Sequence, residues 1–533
     1  MRPFRVFSVL FTVAVLLLLF ILLVPSGRLQ ITQDLTLRFI SVEQLKGEGE
    51  PDYADIGHIL AAHSQELEET TGLPQSSEKG PGGEEPPSKT EMTRPRPSRV
   101  EGKGADEIAQ ILRTIENAQS LEPFFRALVE ESGQEVVRVV HYGDSQIEGD
   151  RISDYLRQRL QERFGGCGVG LIPIYDPMPV RISVEQEAEG DWHYYVPFGR
   201  LDESIPHDRF GIMGAIYRYQ PYPQPAPAET GSEDSHPVQQ EPAPVEAQMP
   251  PEELRASVTV RRSKLALPTA QRFEEVRLLT GDVEQPVPIL WEAGQEMQRG
   301  RLEPARSPRI YRPDLEPPLE EFTLHFLSGP SPDLYGMALD CPQGVAVDNV
   351  PLRGSSGIFV HRWSRESIAS QMNSLNVRLI IWQFGVNVVP YLEDNYEFYR
   401  RNLETSLTLL RQAYPKAAVL VIGISDMSQK DEAGYYRTRS NVEGIRDAQR
   451  SAALASGCAF WDLHEAMGGR NSMPSWVKAE LATSDYTHFN PRGARIVARM
   501  LYNALLAGQK EVLPEDEPHE EEIAAPQKSR SAE

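Results

Sequence analysis

Four short segments of this sequence carry residue types that could act together on an acyl group. Gly143-Asp144-Ser145 follows the strand-like run Val136–Tyr142, and Ser484-Asp485-Tyr486-Thr487-His488 precedes a final amphipathic segment. Arg353-Gly354-Ser355-Ser356-Gly357 and Gly385-Val386-Asn387 each follow a further apolar run. A serine hydroxyl is a weak nucleophile until a base takes its proton, and a neutral imidazole, which titrates near neutrality, suits that task. A carboxylate three residues before the histidine can hold the other ring nitrogen and stabilise the imidazolium that forms. The candidate catalytic residues are therefore Ser145, Asp485 and His488. The candidate oxyanion donors are the Ser145 and Gly354 backbone N–H groups and the Asn387 side-chain amide. This chemistry asks for no metal and no cofactor.

The elements that must position these residues alternate along the chain. Strands are expected at Val136–Tyr142, Val345–Val350, Val377–Phe384, Ala418–Ile424 and Ala459–Leu463. Helices are expected at Arg151–Phe164, Ser364–Leu375, Tyr396–Ala413, Val442–Ala455 and Pro491–Leu506. Runs such as VRLIIWQF and AAVLVIGI are apolar throughout, as strands covered on both faces are. Alternating strands and helices predict a parallel sheet between two helical layers, with ligands bound beyond the carboxyl ends of the strands. Each segment named above lies at such an end or directly before a helix.

The rhythm breaks between the first helix and the second strand. HYYVPFGR, ASVTVRR, EEVRLLT, VPILWEA and EEFTLHFLS read as strands, so residues 181–344 are expected to form an inserted β-sandwich with a low-complexity loop at 221–252. The α/β domain then occupies 105–180 and 345–507, beginning with helical spacing at Ile108, Ile111, Leu112 and Ile115 and again at Phe124, Leu128 and Val129. Residues 28–104 read as a juxtamembrane segment, moderately hydrophobic over 28–68 with room for a short strand and helix, and a linker, since 73–104 is too polar to build a core; 508–533 reads as a disordered acidic tail.

Composition narrows the partners. With 77 acidic against 54 basic residues the net charge is −23, which repels nucleic acid and favours a neutral or cationic substrate. The three cysteines form no CxxC pair, so neither a disulfide framework nor a zinc site is indicated, although one pair is open to oxidation outside the cytoplasm. Arg2 and Arg5 precede an uncharged run from Val6 to Pro25, long enough to cross a bilayer. Residues 1–27 are thus expected to be a transmembrane helix, with the N-terminus in the cytoplasm and the rest of the chain exported.

HYGDS, the glycine of RGSSG, GVN and DYTH resemble the four ordered blocks of SGNH (GDSL-like) hydrolases. The resemblance implies a flavodoxin-like three-layer α/β fold and a serine esterase. A β-rich insertion between the serine and glycine blocks is further similar to bacterial peptidoglycan O-acetylesterases. That implies an acetylated glycan as substrate, and a single-pass protein of the bacterial inner membrane with its catalytic domain in the periplasm. The same triad would serve an O-acetyltransferase, fed by a membrane acyl-transfer partner, and a silent wall-binding module is the non-enzymatic alternative. Gln146 stands where the family pattern has leucine, and Val388 where many relatives have aspartate.

Several residues have competing readings. Asp55-Ile56-Gly57-His58 repeats the Asp-x-x-His spacing with no strand end beside it. Gly357 is an alternative to Gly354 in the same loop, and His141 reads as a packed residue rather than a base. Trp192, His193, Tyr194 and Tyr195 are either a sugar-stacking patch or ordinary packing. The glycine-rich Gly165–Gly170 stretch reads as a tight exit turn.

Overall fold

The computed structural model describes residues 51–63, 114–223 and 253–514, together with the backbone of an antiparallel pair, Arg28–Gln30 with Thr36–Arg38. The expected transmembrane run Val6–Pro25 and the linker 73–104 lie outside the described residues. Among the described residues, no helix is long and apolar enough to cross a membrane.

The parallel sheet has five strands, labelled in chain order β1 (Val136–Gly143), β2 (Gly344–Pro351), β3 (Val377–Gln383), β4 (Ala418–Ile422) and β5 (Ala459–Trp461). Their spatial order is β2-β1-β3-β4-β5, all neighbours parallel, which is the flavodoxin-like arrangement. The connecting helices are α1 (Ser153–Phe164), α2 (Arg365–Ser374), α3 (Glu397–Ala413), α4 (Val442–Ala455) and α5 (Pro491–Val512). β1 is buried along its whole length because helices or the insertion cover both faces. Val137 and Val139 enter one core with α5, whereas Val140 and Tyr142 enter a second core that is continuous with the insertion.

The insertion is made of two antiparallel sheets. One orders Glu296–Leu302, Val287–Ala293, Glu321–Phe326, Ala256–Arg262 and Val184–Glu189. The other orders Arg309–Tyr311, Glu275–Thr280, Leu334–Asp340, Ile216–Arg218 and His193–Tyr195. Gly170–Ile172 also pairs with Leu334–Asp340, so the insertion recruits chain well before residue 181. The glycines ahead of it allow this close approach: a Cβ on Gly168 would lie 2.0 Å from the Leu339 carbonyl oxygen.

A disulfide joins Cys167 to Cys341, which identifies the one pair that the sequence left open to oxidation. Beside it lies a buried ionic cluster. Arg138 on β1 meets Asp348 on β2 (2.6 Å) and Asp340 at the end of the insertion, and Asp340 also meets Arg277 within the insertion. Thus covalent and ionic links fasten the insertion to the sheet edge farthest from the carboxyl ends.

Two boundaries and the facing of one residue differ from expectation. Tyr222 is buried and its hydroxyl donates to Asp333 (2.8 Å), so the low-complexity stretch does not begin at 221; residues 224–252 lie outside the described residues. The last helix runs to Val512, with Gly508 and Gln509 buried, rather than stopping before residue 508. Of the helix Glu122–Glu130, Phe124 and Leu128 are buried as expected, but Val129 faces solvent.

The folded unit also begins before Ala105. Residues 51–63 form a strap whose Ile56 and Ile59 are buried in the core that contains α5. Ser475 Oγ donates to the Ala54 carbonyl (2.7 Å) and Ala54 N to that of Asn471 (3.3 Å). Burying two isoleucines contributes about 3–6 kcal/mol as an upper bound. A chain starting at Ala105 is therefore expected to melt several degrees below one starting at Pro51. Equal melting temperatures would show that the strap adds no stability.

Candidate active site

Tight backbone contact at the end of β1 presents the serine. A Cβ at Gly143 would sit 2.8 Å from the Gln383 carbonyl oxygen, so β1 and β3 can close up only on glycine. The chain then turns into a 3₁₀ segment, Ser145–Asp150, capped by the Asp144 carboxylate, which accepts from Gln146 N (3.1 Å). The other Asp144 oxygen accepts from Val386 N (3.1 Å), tying the serine turn to the Asn387 loop. Burial pushes the Asp144 carboxyl up to about 6, against the pull of these N–H groups and of His488.

The Asp485–His488 loop is clamped independently. Thr483 N donates to the His488 carbonyl (2.8 Å) and Asn490 N to that of Leu481 (3.2 Å). Asn490 then caps α5 by accepting from Arg492 N and Gly493 N, each at 3.0 Å, with Pro491 in the first turn.

These two turns bring Ser145 Oγ to 2.8 Å from His488 Nε2, and His488 Nδ1 to 2.7 Å from Asp485 Oδ2. The second Asp485 oxygen accepts from Thr483 Oγ1 (2.6 Å), Thr487 N (2.9 Å) and His488 N (3.0 Å). Burial pushes the Asp485 carboxyl up, but its bonds to His488 and Thr483 outweigh this and hold it well below the usual carboxylate range. An ionised Asp485 fixes the proton on Nδ1, leaving Nε2 as acceptor toward the serine hydroxyl.

The remaining sequence-selected residues lie on the two strands flanking β1. β2 carries the Gly354 loop and β3 the Asn387 loop. Asn387 Nδ2 donates one hydrogen to the Ser355 carbonyl (3.0 Å), joining these loops to each other. The Gly354 N–H makes no hydrogen bond among the described residues, whereas Gly357 N donates to Ser355 Oγ (3.2 Å), which favours Gly354 over Gly357 as an oxyanion donor. Arg353 pairs with Glu148 of the serine turn, fastening the Gly354 loop from its other side.

Gln146 was visible in the sequence only as a departure from the family pattern. Its buried Nε2 donates to the Thr487 carbonyl (2.7 Å) and to Ser425 Oγ (2.9 Å), linking the serine turn to the histidine loop. Gln146→Leu is expected to lower kcat roughly fivefold with little change in KM, since it removes about 1 kcal/mol of positioning hydrogen bond. Unchanged kcat would show that the loop clamps suffice by themselves.

The competing residues separate from this site. Asp55 Oδ1 accepts from Gly57 N (2.8 Å) and serves its own turn in the strap. His141 is buried between Ser153 Oγ and Gln383 Oε1, both at 3.0 Å, and burial pushes it down to about 4, so it is a neutral packed residue. Trp192 stacks on Tyr175 and meets Tyr219 and Phe326 edge-on, and Tyr195 is buried, leaving Tyr194 as the exposed ring of that group. His207, Asp282 and Asp333 converge closely enough to suggest a metal, but Arg209 and Arg218 already balance their charge.

Residues 327–496 match the model of the GDSL-like Lipase/Acylhydrolase family. Among solved structures, one described as a peptidoglycan O-acetylesterase in action matches 74% of this chain and 97% of its own at 18% identity, with a TM-score of 0.55. A putative GDSL-like lipase from Bacteroides ovatus matches 46% of this chain and 81% of its own at 11% identity, with a TM-score of 0.21. No curated protein matches the sequence. The family match contains the Gly354 and Asn387 loops and both members of the Asp-x-x-His pair, and the 0.55 likeness extends the shared fold across most of the chain. The α/β domain is an SGNH (GDSL-like) hydrolase domain, and the chain is a serine ester hydrolase resembling O-acetylesterases in fold.

Proposed function

We propose that this protein removes O-acetyl groups from an extracytoplasmic polysaccharide such as peptidoglycan, with Ser145, His488 and Asp485 as its triad. The observation that carries the reading is the continuous hydrogen-bonded chain from Ser145 Oγ through His488 to Asp485. Ser145 Oγ attacks the acetyl carbonyl as His488 Nε2 takes its proton. The oxyanion is met by the Ser145 and Gly354 N–H groups and by the second amide hydrogen of Asn387. His488 returns the proton to the departing sugar oxygen, leaving acetyl-Ser145. Water then attacks this ester with His488 again as base, releasing acetate and the free serine.

The His488 side chain is about a quarter exposed, at 27%, which gives water a path to the acetyl-enzyme and supports hydrolysis over transfer. The Cys167–Cys341 disulfide supports a location outside the reducing cytoplasm. Likeness to a peptidoglycan O-acetylesterase supports the choice of glycan.

The test is to supply purified protein with acetylated peptidoglycan and look for released acetate and for an acetylated Ser145 peptide by mass spectrometry. A further arm adds unacetylated glycan in rising concentration together with a small acetyl donor. If acetylated glycan accumulates while free acetate stays at background, the protein is a transferase and the hydrolase reading is wrong.

A further inference from the structure

The Gly354 and Asn387 loops do more than flank the nucleophile's strand. Together with Ser355 and Ser356 they form one wall of a cleft of about 790 Å³, whose far side is the segment 391–402 and the start of α3. The insertion reaches into the same cleft with Phe198 and Gly199, the latter accepting a hydrogen bond from Arg362 (2.9 Å).

Tyr391 and Phe398 line this cleft and are 68% and 72% exposed. Their backbone is held in place: Tyr391 N donates to the Val388 carbonyl (3.0 Å), the Tyr396 hydroxyl to the Tyr391 carbonyl (2.9 Å), and Asn402 Nδ2 to the Phe398 carbonyl (2.8 Å). Two large rings on a fixed backbone, facing solvent in a concave site, are not explained by packing within the chain. Their faces match the C–H face of a pyranose ring, while Asn395 and Asn402 offer amides to its hydroxyls. His361 and Arg362 stand against Glu393, so the lining has little net charge and, in a chain of net charge −23, suits a neutral sugar chain over a polyanion.

We propose that this cleft holds the glycan on the alcohol side of the scissile ester, with sugar rings stacked on Tyr391 and Phe398. The inference rests on the esterase reading above, since the acyl group must occupy the oxyanion loops for the sugar to extend along the wall they share.

The experiment measures kcat/KM for O-acetylated peptidoglycan strands and for para-nitrophenyl acetate, and takes their ratio. In the double variant Tyr391→Ala/Phe398→Ala the ratio is expected to fall by about tenfold or more, mainly through KM for the strand. Tyr391→Phe/Phe398→Tyr, which keeps both ring faces, is expected to retain it. An unchanged ratio in the alanine pair overturns the cleft assignment and leaves the esterase reading standing. Equal loss on both substrates also overturns it, because the effect is then structural. If the unmodified protein cleaves para-nitrophenyl acetate but no acetylated strand, the glycan reading fails, and the cleft assignment with it.

Discussion

Ser145→Ala is expected to abolish turnover of para-nitrophenyl acetate while leaving the melting temperature within about a degree of the unmodified protein. The hydroxyl is partly exposed, and its recorded side-chain bond is to His488, so removing it breaks chemistry and little packing. In triads of this kind, loss of the serine or the histidine alone lowers kcat by on the order of 10⁶, and loss of both costs hardly more, because each is useless without the other. His488→Ala, alone and combined with Ser145→Ala, should therefore give rates indistinguishable from Ser145→Ala. Retention of more than a few per cent of activity by both single variants would exclude the triad. Asp55→Asn and His58→Ala change the second Asp-x-x-His pair, whose Asp55 carboxylate accepts from Gly57 N of its own turn, and should leave turnover as it was.

The second large effect is on stability. Arg138 lies fully buried between Asp340 and Asp348, and Arg138→Met would leave Asp348 without the cation it is hydrogen-bonded to and Asp340 with Arg277 alone. Breaking a buried ion pair by removing one partner typically costs about 3–5 kcal/mol, far more than the pair itself is worth against a well-packed apolar substitute. Arg138→Met is thus expected to lower the denaturant midpoint sharply. Adding Asp348→Asn to that variant should recover part of the loss, since it removes the stranded charge while its carbonyl oxygen can still accept from Leu171 N. A midpoint unchanged by Arg138→Met would mean that the insertion is fastened to the sheet by other contacts.

The parallel sheet was legible because its strands are buried on both faces. VRLIIWQF and AAVLVIGI carry no polar alternation, and the glycine, serine and asparagine that follow each run mark the strand ends. Ser145, Asp485 and His488 could be selected because type, order and element boundary agreed, although each signal taken alone is common. What stayed hidden depends on contacts across long separations. A short strand such as Gly170–Ile172 is defined by a partner more than a hundred residues away and carries no periodicity of its own. Gln146 looked like a mismatch until its amide was found on the Thr487 carbonyl, 341 residues along the chain. A short helix within 28–68 was legible from its hydrophobicity, but the docking of the strap at 51–63 was hidden for a related reason: Ile56 and Ile59 matter only because a distant core receives them. Likewise, three scattered cysteines could not reveal that Cys167 and Cys341 lie at the entrance and exit of the insertion.

That placement gives the insertion the character of a closed ring. Cys167 and Cys341 are 174 residues apart in sequence, and nearly the whole β-rich region, including residues 224–252, lies between them. A protease cut anywhere in that interval leaves one covalent molecule, with Ser145 on one fragment and Asp485 and His488 on the other. The triad can therefore outlast a nick that would otherwise let its two halves diffuse apart, and only reduction combined with cleavage would release them.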